Sequence, residues 1–119
     1  YRPHRAQRAL WDILPDDNFV AFPPDLKKPY RLRPTHMNGM CVDMTLMDQD
    51  NKEILMPTEF DCFSEDANPL ISSAPQRAID NALYLREVMK KHGFSPSNTE
   101  WWHFFDISSE PVPFSNFCF

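Results

Sequence analysis

A chain of 119 residues accommodates one domain, with enough length to bury roughly two-thirds of its unfolded surface. Its 42% hydrophobic and 13% aromatic content excludes a disordered chain, and a net charge of −5 with scattered Lys and Arg excludes the electrostatic footprint of nucleic-acid or anionic-lipid binding. Apolar stretches fall far short of the roughly 20 residues of a membrane helix, so the expectation is a soluble domain whose partner is a small molecule.

Tyr1-Arg2-Pro3 runs directly into a helical pattern that places Ala6, Ala9, Leu10 and Ile13 on one face, and Pro3 suits a first helical turn. No initiator Met precedes it, which predicts that an amino-terminal segment lies upstream. Pro15, Pro23, Pro24, Pro29 and Pro34 then prevent long helices and predict an irregular excursion. From Met40 to Met47 the alternation reads as a strand, with Val42, Met44 and Leu46 on one face and Cys41, Asp43 and Thr45 on the other. The polar run Asp48 to Lys52 is a turn signal, and Glu53 to Met56 is predicted to return as the second arm of a hairpin.

After a loop through Phe60-Asp61-Cys62-Phe63, Ser73 and Gln76 match a capping box, so a helix is predicted to start there. Ala78, Ala82, Leu85 and Met89 form its apolar face; Lys90, Lys91 and His92 complement its carboxyl end, and Gly93 supplies a left-handed cap. Trp101 to Ile107 is an aromatic, strand-like run expected beside the Met40–Met47 strand. Pro111, Pro113 and the Phe-rich end predict an extended tail packed on the body. Cys41, Cys62 and Cys118 cannot all pair and form no C-x-x-C, so they are expected to be buried or half-buried thiols. That suits a reducing compartment: a cytoplasmic location is expected, with the periplasm as the alternative. The fold class is therefore α+β, a small antiparallel sheet packed against helices, in a single domain spanning 1–119.

Two clusters carry chemistry. His36 and Asp43 flank Gly39, where the backbone can take positive φ and let both side chains converge, and Glu100 precedes His103 by three positions. Two imidazoles and one carboxylate form a ligand set that Zn²⁺ accepts, with a fourth position left for water, and Glu100 is a further carboxylate able to take a proton from it. Each pair taken alone is a common accident, and a lone His or Asp on a strand is more often hydrogen-bonded structure. The combination is what points to a single zinc site. Residues three apart on a regular strand face opposite ways, so Glu100 is expected in the loop before the strand or at a bulge. His4 is expected to face solvent, and neither His4 nor His92 is assigned to metal.

The order Tyr-Arg-Pro, His-x-x-Gly-x-x-x-Asp, Phe-Asp, Gly-Phe and Glu-Trp-Trp-His-Phe resembles the bacterial D-alanyl-D-alanine dipeptidases, within the zinc D,D-peptidase group, over nearly the whole chain. The resemblance implies one Zn²⁺ held by His36, Asp43 and His103, Glu100 as catalytic base, Arg2 as the cation stabilising charge on the scissile carbonyl, and Asp61 near the substrate's amino group. It implies hydrolysis of a D-alanyl-D-alanine-type dipeptide. The alternatives are a D,D-carboxypeptidase or L,D-peptidase acting on peptidoglycan stem peptides, and a non-catalytic zinc-binding domain of the same fold. Pro34 and Cys41 depart from the family's Ser and Ala at those positions. Pro34 lacks a hydroxyl and an N–H that could contact a substrate carboxylate.

Overall fold

Hydrophobic alternation in one four-residue strand organises the computed structural model, which describes residues 1–25 and 35–114. The elements in chain order are α1 (His4–Ile13), a 3₁₀ turn (His36–Asn38), β1 (Cys41–Asp43), a second 3₁₀ turn (Glu65–Ala67), α2 (Gln76–Lys91), β2 (Phe94–Pro96) and β3 (His103–Asp106). The strands form one antiparallel sheet in the order β1-β3-β2. This is the expected α+β architecture. No helix among the described residues is long and apolar enough to cross a membrane.

In the central strand β3, Phe104 is fully buried and faces α2, while His103 and Phe105 take the other face. Phe104 joins Trp101, Trp102, Met56, Ala67 and the α2 residues Ala82, Leu85 and Met89 in the core, with Val42 of β1 packed against it. The apolar face of α2 is the one read from the sequence: Ala78, Ala82, Leu85 and Met89 are its buried residues. Its carboxyl end also falls where expected, with His92 as cap and Gly93 at φ 88°.

Its start differs. Pro75, not Ser73, is the N-cap, because the Ser73 N–H and hydroxyl both donate to Asp66 Oδ1, at 2.7 and 2.9 Å, leaving no capping box to form. The first strand is also shorter than Met40–Met47. Its partner ends in the Trp101–Trp102 turn, so after a last bond from Met44 N to the Trp102 carbonyl at 2.9 Å there is no backbone left to pair with. The expected hairpin reduces to a single bridge between Met47 and Glu53. Its turn is held by Asp48 Oδ1, which accepts from the N–H groups of Asp50 and Lys52. Strand β2 had no sequence signal: it is an edge strand ending in Pro96, where a missing N–H is tolerated.

Helix α1 buries only part of the face its apolar residues mark: Ala6 and Leu10 are half-buried, and Leu10 lines the pocket described below. Ile13 is 80% exposed and Ala9 is exposed, while Gln7 is buried. The docking face is His4, Gln7 and Trp11, spaced at one helical stripe. His4 Nε2 contacts the Pro24 carbonyl at 2.8 Å, Gln7 donates to the Ala21 carbonyl, and Trp11 meets the Phe22 ring edge-on at 5.0 Å. His4 is therefore half-buried rather than solvent-facing. The described part of the proline-rich excursion is irregular, as expected; Pro29 and Pro34 lie outside the described residues. Among the cysteines, Cys41 is buried, Cys62 is exposed against expectation because it sits in the turn after Phe60, and Cys118 lies outside the described residues. Residues 115–119 of the Phe-rich end lie outside the described residues; just before them Val112 N donates to the Asn38 carbonyl at 2.9 Å.

Truncating Phe104 to Ala removes a fully buried ring from the middle of the sheet and is expected to cost about 3–5 kcal/mol, read from the urea midpoint. Ile13→Ala on the exposed side of α1 should stay within about 0.5 kcal/mol of the parent.

Candidate metal centre

The β1–β3 register places Asp43 directly opposite His103. His103 Nδ1 lies 2.9 Å from Asp43 Oδ1. His36 reaches the same carboxylate from the 3₁₀ turn before β1, its Nε2 standing 3.1 Å from Asp43 Oδ2 and 3.1 Å from His103 Nδ1. That turn is shaped by its own sequence. Asn38 is buried, and its Oδ1 accepts from the backbone N–H of Thr35 at 2.9 Å and of Met40 at 3.3 Å, while Gly39 takes φ 73° to release the chain into β1. Gly39 thus performs the role its position suggested.

The donor atoms of His36, Asp43 and His103 all lie within 4.8 Å of one another. Bonds of 2.0–2.1 Å in tetrahedral geometry set ligand atoms about 3.3 Å apart. His36 Nε2 and His103 Nδ1 stand 3.1 Å apart, and each lies 2.9–3.1 Å from a different oxygen of the Asp43 carboxylate, close to that spacing, so the donor set fits a divalent cation such as zinc. Two ring nitrogens 3.1 Å apart can share at most one proton between them, so the convergence of lone pairs suits a cation better than it suits a hydrogen-bond network. Burial works to raise the Asp43 carboxyl; hydrogen bonds from His103 and His36, and their charge, outweigh it and hold Asp43 well below the usual carboxylate range.

Glu100 sits in the turn before β3 rather than on the strand, which resolves the spacing problem and brings Oε2 to 3.9 Å from His103 Nδ1. Arg86 of α2 holds this turn by donating from Nη1 to the Ser97 carbonyl at 2.6 Å and from Nη2 to Asn98 Oδ1 at 2.7 Å. Ser97 N donates to the His103 carbonyl at 2.9 Å, tying the turn to β3. Burial pushes the Glu100 carboxyl up to about 7; the charge of His103 opposes this, and those of Asp43 and Asp61 reinforce it.

All six residues singled out from the sequence, Arg2, His36, Asp43, Asp61, Glu100 and His103, line one pocket of about 320 Å³. The Arg2 N–H donates to the His36 carbonyl at 2.8 Å. Asp61 stands at the mouth with φ 59°, exposed, its carboxyl raised by partial burial and the Asp43 charge and lowered by Arg2 and His36. Phe63 and Phe19 close the wall beside it, their rings 5.7 Å apart. Sequence reasoning missed Gln7, Asn38 and Arg86. A Thr-x-x-Asn spacing before Gly39 was the available signal for Asn38; Arg86 looks like any surface cation on a helix. Cys41 is buried opposite Phe105, and Pro34 falls outside the described residues.

The sequence model of the D-ala-D-ala dipeptidase family matches residues 1–119 in full. The chain belongs to that family. Among curated proteins, the D-alanyl-D-alanine dipeptidase of Escherichia coli (strain K12) is 33% identical over 104 residues, which cover 87% of this chain and 50% of the relative. The chain thus spans about half the length of the relative it matches.

Because Glu100 titrates near 7 when folded and at 4.5 ordinarily, the folded state favours its protonated form, and this group lowers the stability of the metal-free chain as pH rises from about 4.5 to 7. Glu100→Gln, which cannot ionise, should therefore be more stable than the parent at pH 8, by on the order of 3 kcal/mol, and little different at pH 4. Paired denaturant titrations of the metal-free proteins read this; equal gaps at both pH values would contradict it.

Proposed function

We propose that this chain carries the catalytic site of a zinc-dependent dipeptidase acting on D-alanyl-D-alanine-type dipeptides, with one zinc ion held by His36, Asp43 and His103. The observation that carries the reading is the triangle of three donor atoms beside a buried, non-ligand carboxylate. The name of the E. coli relative supplies the substrate class. The pocket, at the small end of the roughly 300–1,000 Å³ spanned by ligand sites, suits a short peptide.

A zinc ion held by His36, Asp43 and His103 would supply a Lewis acid able to polarise the peptide carbonyl and acidify water. Glu100, desolvated and 3.9 Å from His103 Nδ1, is placed to take the proton from the attacking water and return it to the leaving amine. Arg2 presents a guanidinium that stays charged, matched to the negative charge that grows on the carbonyl oxygen. Asp61 at the mouth pairs with the substrate's ammonium group. The aromatic wall of Phe19, Phe63 and Trp102 limits the side chains the pocket admits and keeps bulk water from the reacting bond.

Zinc content and release of free D-alanine from D-Ala-D-Ala test this together. The parent should bind one zinc per chain and turn over the dipeptide but not a stem pentapeptide. Glu100→Ala should keep its zinc and lose about 10²–10⁴-fold in kcat, whereas Asp43→Ala should lose the zinc itself. Turnover by Glu100→Ala at the parent's rate removes the base assignment, and stoichiometric zinc without hydrolysis of either peptide leaves a binding domain.

A further inference from the structure

The pocket wall contributed by α1 contains one buried polar side chain, Gln7, only 2% exposed. A buried amide is unfavourable unless both ends are bonded, and here both are. Gln7 Oε1 accepts from Arg2 Nη1 at 3.0 Å, and Gln7 Nε2 donates to the Ala21 carbonyl at 2.7 Å. The two partners set the amide's orientation without ambiguity, since the flipped form would point its NH₂ at a guanidinium and its oxygen at a carbonyl.

Arg2 is consequently held at two points. Its backbone N–H is bonded to the His36 carbonyl, on the turn that carries a metal donor, and its guanidinium is tied through Gln7 to the loop that forms the opposite wall. An arginine side chain carries about 2 kcal/mol of rotamer entropy, and losing that freedom before substrate arrives removes it from the barrier of the reaction. Few other side chains of this length fit the position. Methionine makes neither bond, and glutamate would face the Ala21 carbonyl with an acceptor while cancelling the charge that Arg2 directs into the pocket.

We infer that Gln7 is a positioning residue, which aims the Arg2 guanidinium at the carbonyl oxygen of the bound dipeptide; the inference rests on the function proposed above. It acts through Arg2 and does not touch the reacting atoms. Its apolar replacement therefore damages turnover only while Arg2 is present.

A double-mutant cycle on the zinc-loaded full chain tests this, using parent, Gln7→Met, Arg2→Ala and the double variant with D-Ala-D-Ala as substrate. Gln7→Met should lower kcat about tenfold, change KM less than twofold and leave zinc content at the parent's level, and the double variant should be no slower than Arg2→Ala alone. Relaxation of the Arg2 Nε–H resonance, followed by NMR, should show a restricted guanidinium in the parent and a mobile one in Gln7→Met. Equal fold-losses in both backgrounds, or an unchanged kcat with only the thermal midpoint lowered, would make Gln7 a packing residue and overturn the inference. An unchanged Arg2 resonance in Gln7→Met overturns it without reference to activity. If Arg2→Ala turns over as the parent does, the assigned task of Arg2 and the inference fall together; if the zinc-loaded parent hydrolyses nothing, the dipeptidase reading falls, and the NMR comparison alone decides whether Gln7 holds Arg2.

Discussion

Asp43 and His103 face each other across β1 and β3 at 2.9 Å, and this cross-strand pair is set by the same register that sends Val42 and Phe104 to the core. A slip of one residue would exchange the two faces, turning Asp43 into the core and Phe104 into the pocket. The hydrophobic demand of the α2-facing side thus determines the chemistry of the other side. Burial of Phe104 and Val42 against α2 is what keeps a carboxylate and an imidazole in register with nothing apolar between them.

The sheet is too small to place the remaining groups. Its strands are three or four residues long, and His36, Glu100 and Arg2 all lie outside them. Each of these is held instead by a polar side chain elsewhere: His36 by the Asn38 amide that shapes its turn, the Glu100 turn by the Arg86 guanidinium, and Arg2 by Gln7. Anchors of this kind are directional where hydrophobic packing is not. A buried amide or guanidinium with all its partners in place specifies position to within a hydrogen-bond length, at the risk that losing one partner leaves the other buried and unsatisfied.

That division explains what could be read from the sequence. The α2 face was legible because Ala78, Ala82, Leu85 and Met89 repeat at the helical period and nothing competes for them. The candidate site residues could be singled out because their types and spacings form a recognisable order, and the structure brings all six to one pocket. Features that depended on a distant partner were not. Ser73 has the spacing of a cap but is taken by Asp66, α1 leaves Ala9 and Ile13 outside while Gln7 binds Ala21 and Arg2, and the Met40–Met47 strand stops where its neighbour turns away at Trp102. Strand β2 gave no alternation to detect, since three residues with a terminal proline at a sheet edge are held by their partner alone.

The electrostatics of the pocket follow from the same arrangement. The Asp43 charge raises both Asp61 and Glu100, and Asp61 raises Glu100 further, with two imidazoles and one guanidinium to balance them. Asp43 is satisfied by both histidines and stays ionised. Glu100 is pushed up by burial, an effect that the charges of His103 and Arg2 oppose and do not cancel. In the proposed reading a divalent cation at the triangle reverses the balance, since its charge favours the ionised form of every carboxylate around it. The site that disfavours a charged Glu100 in the metal-free chain then leaves, beside the cation, an ionised and desolvated base held by a turn that α2 keeps in place.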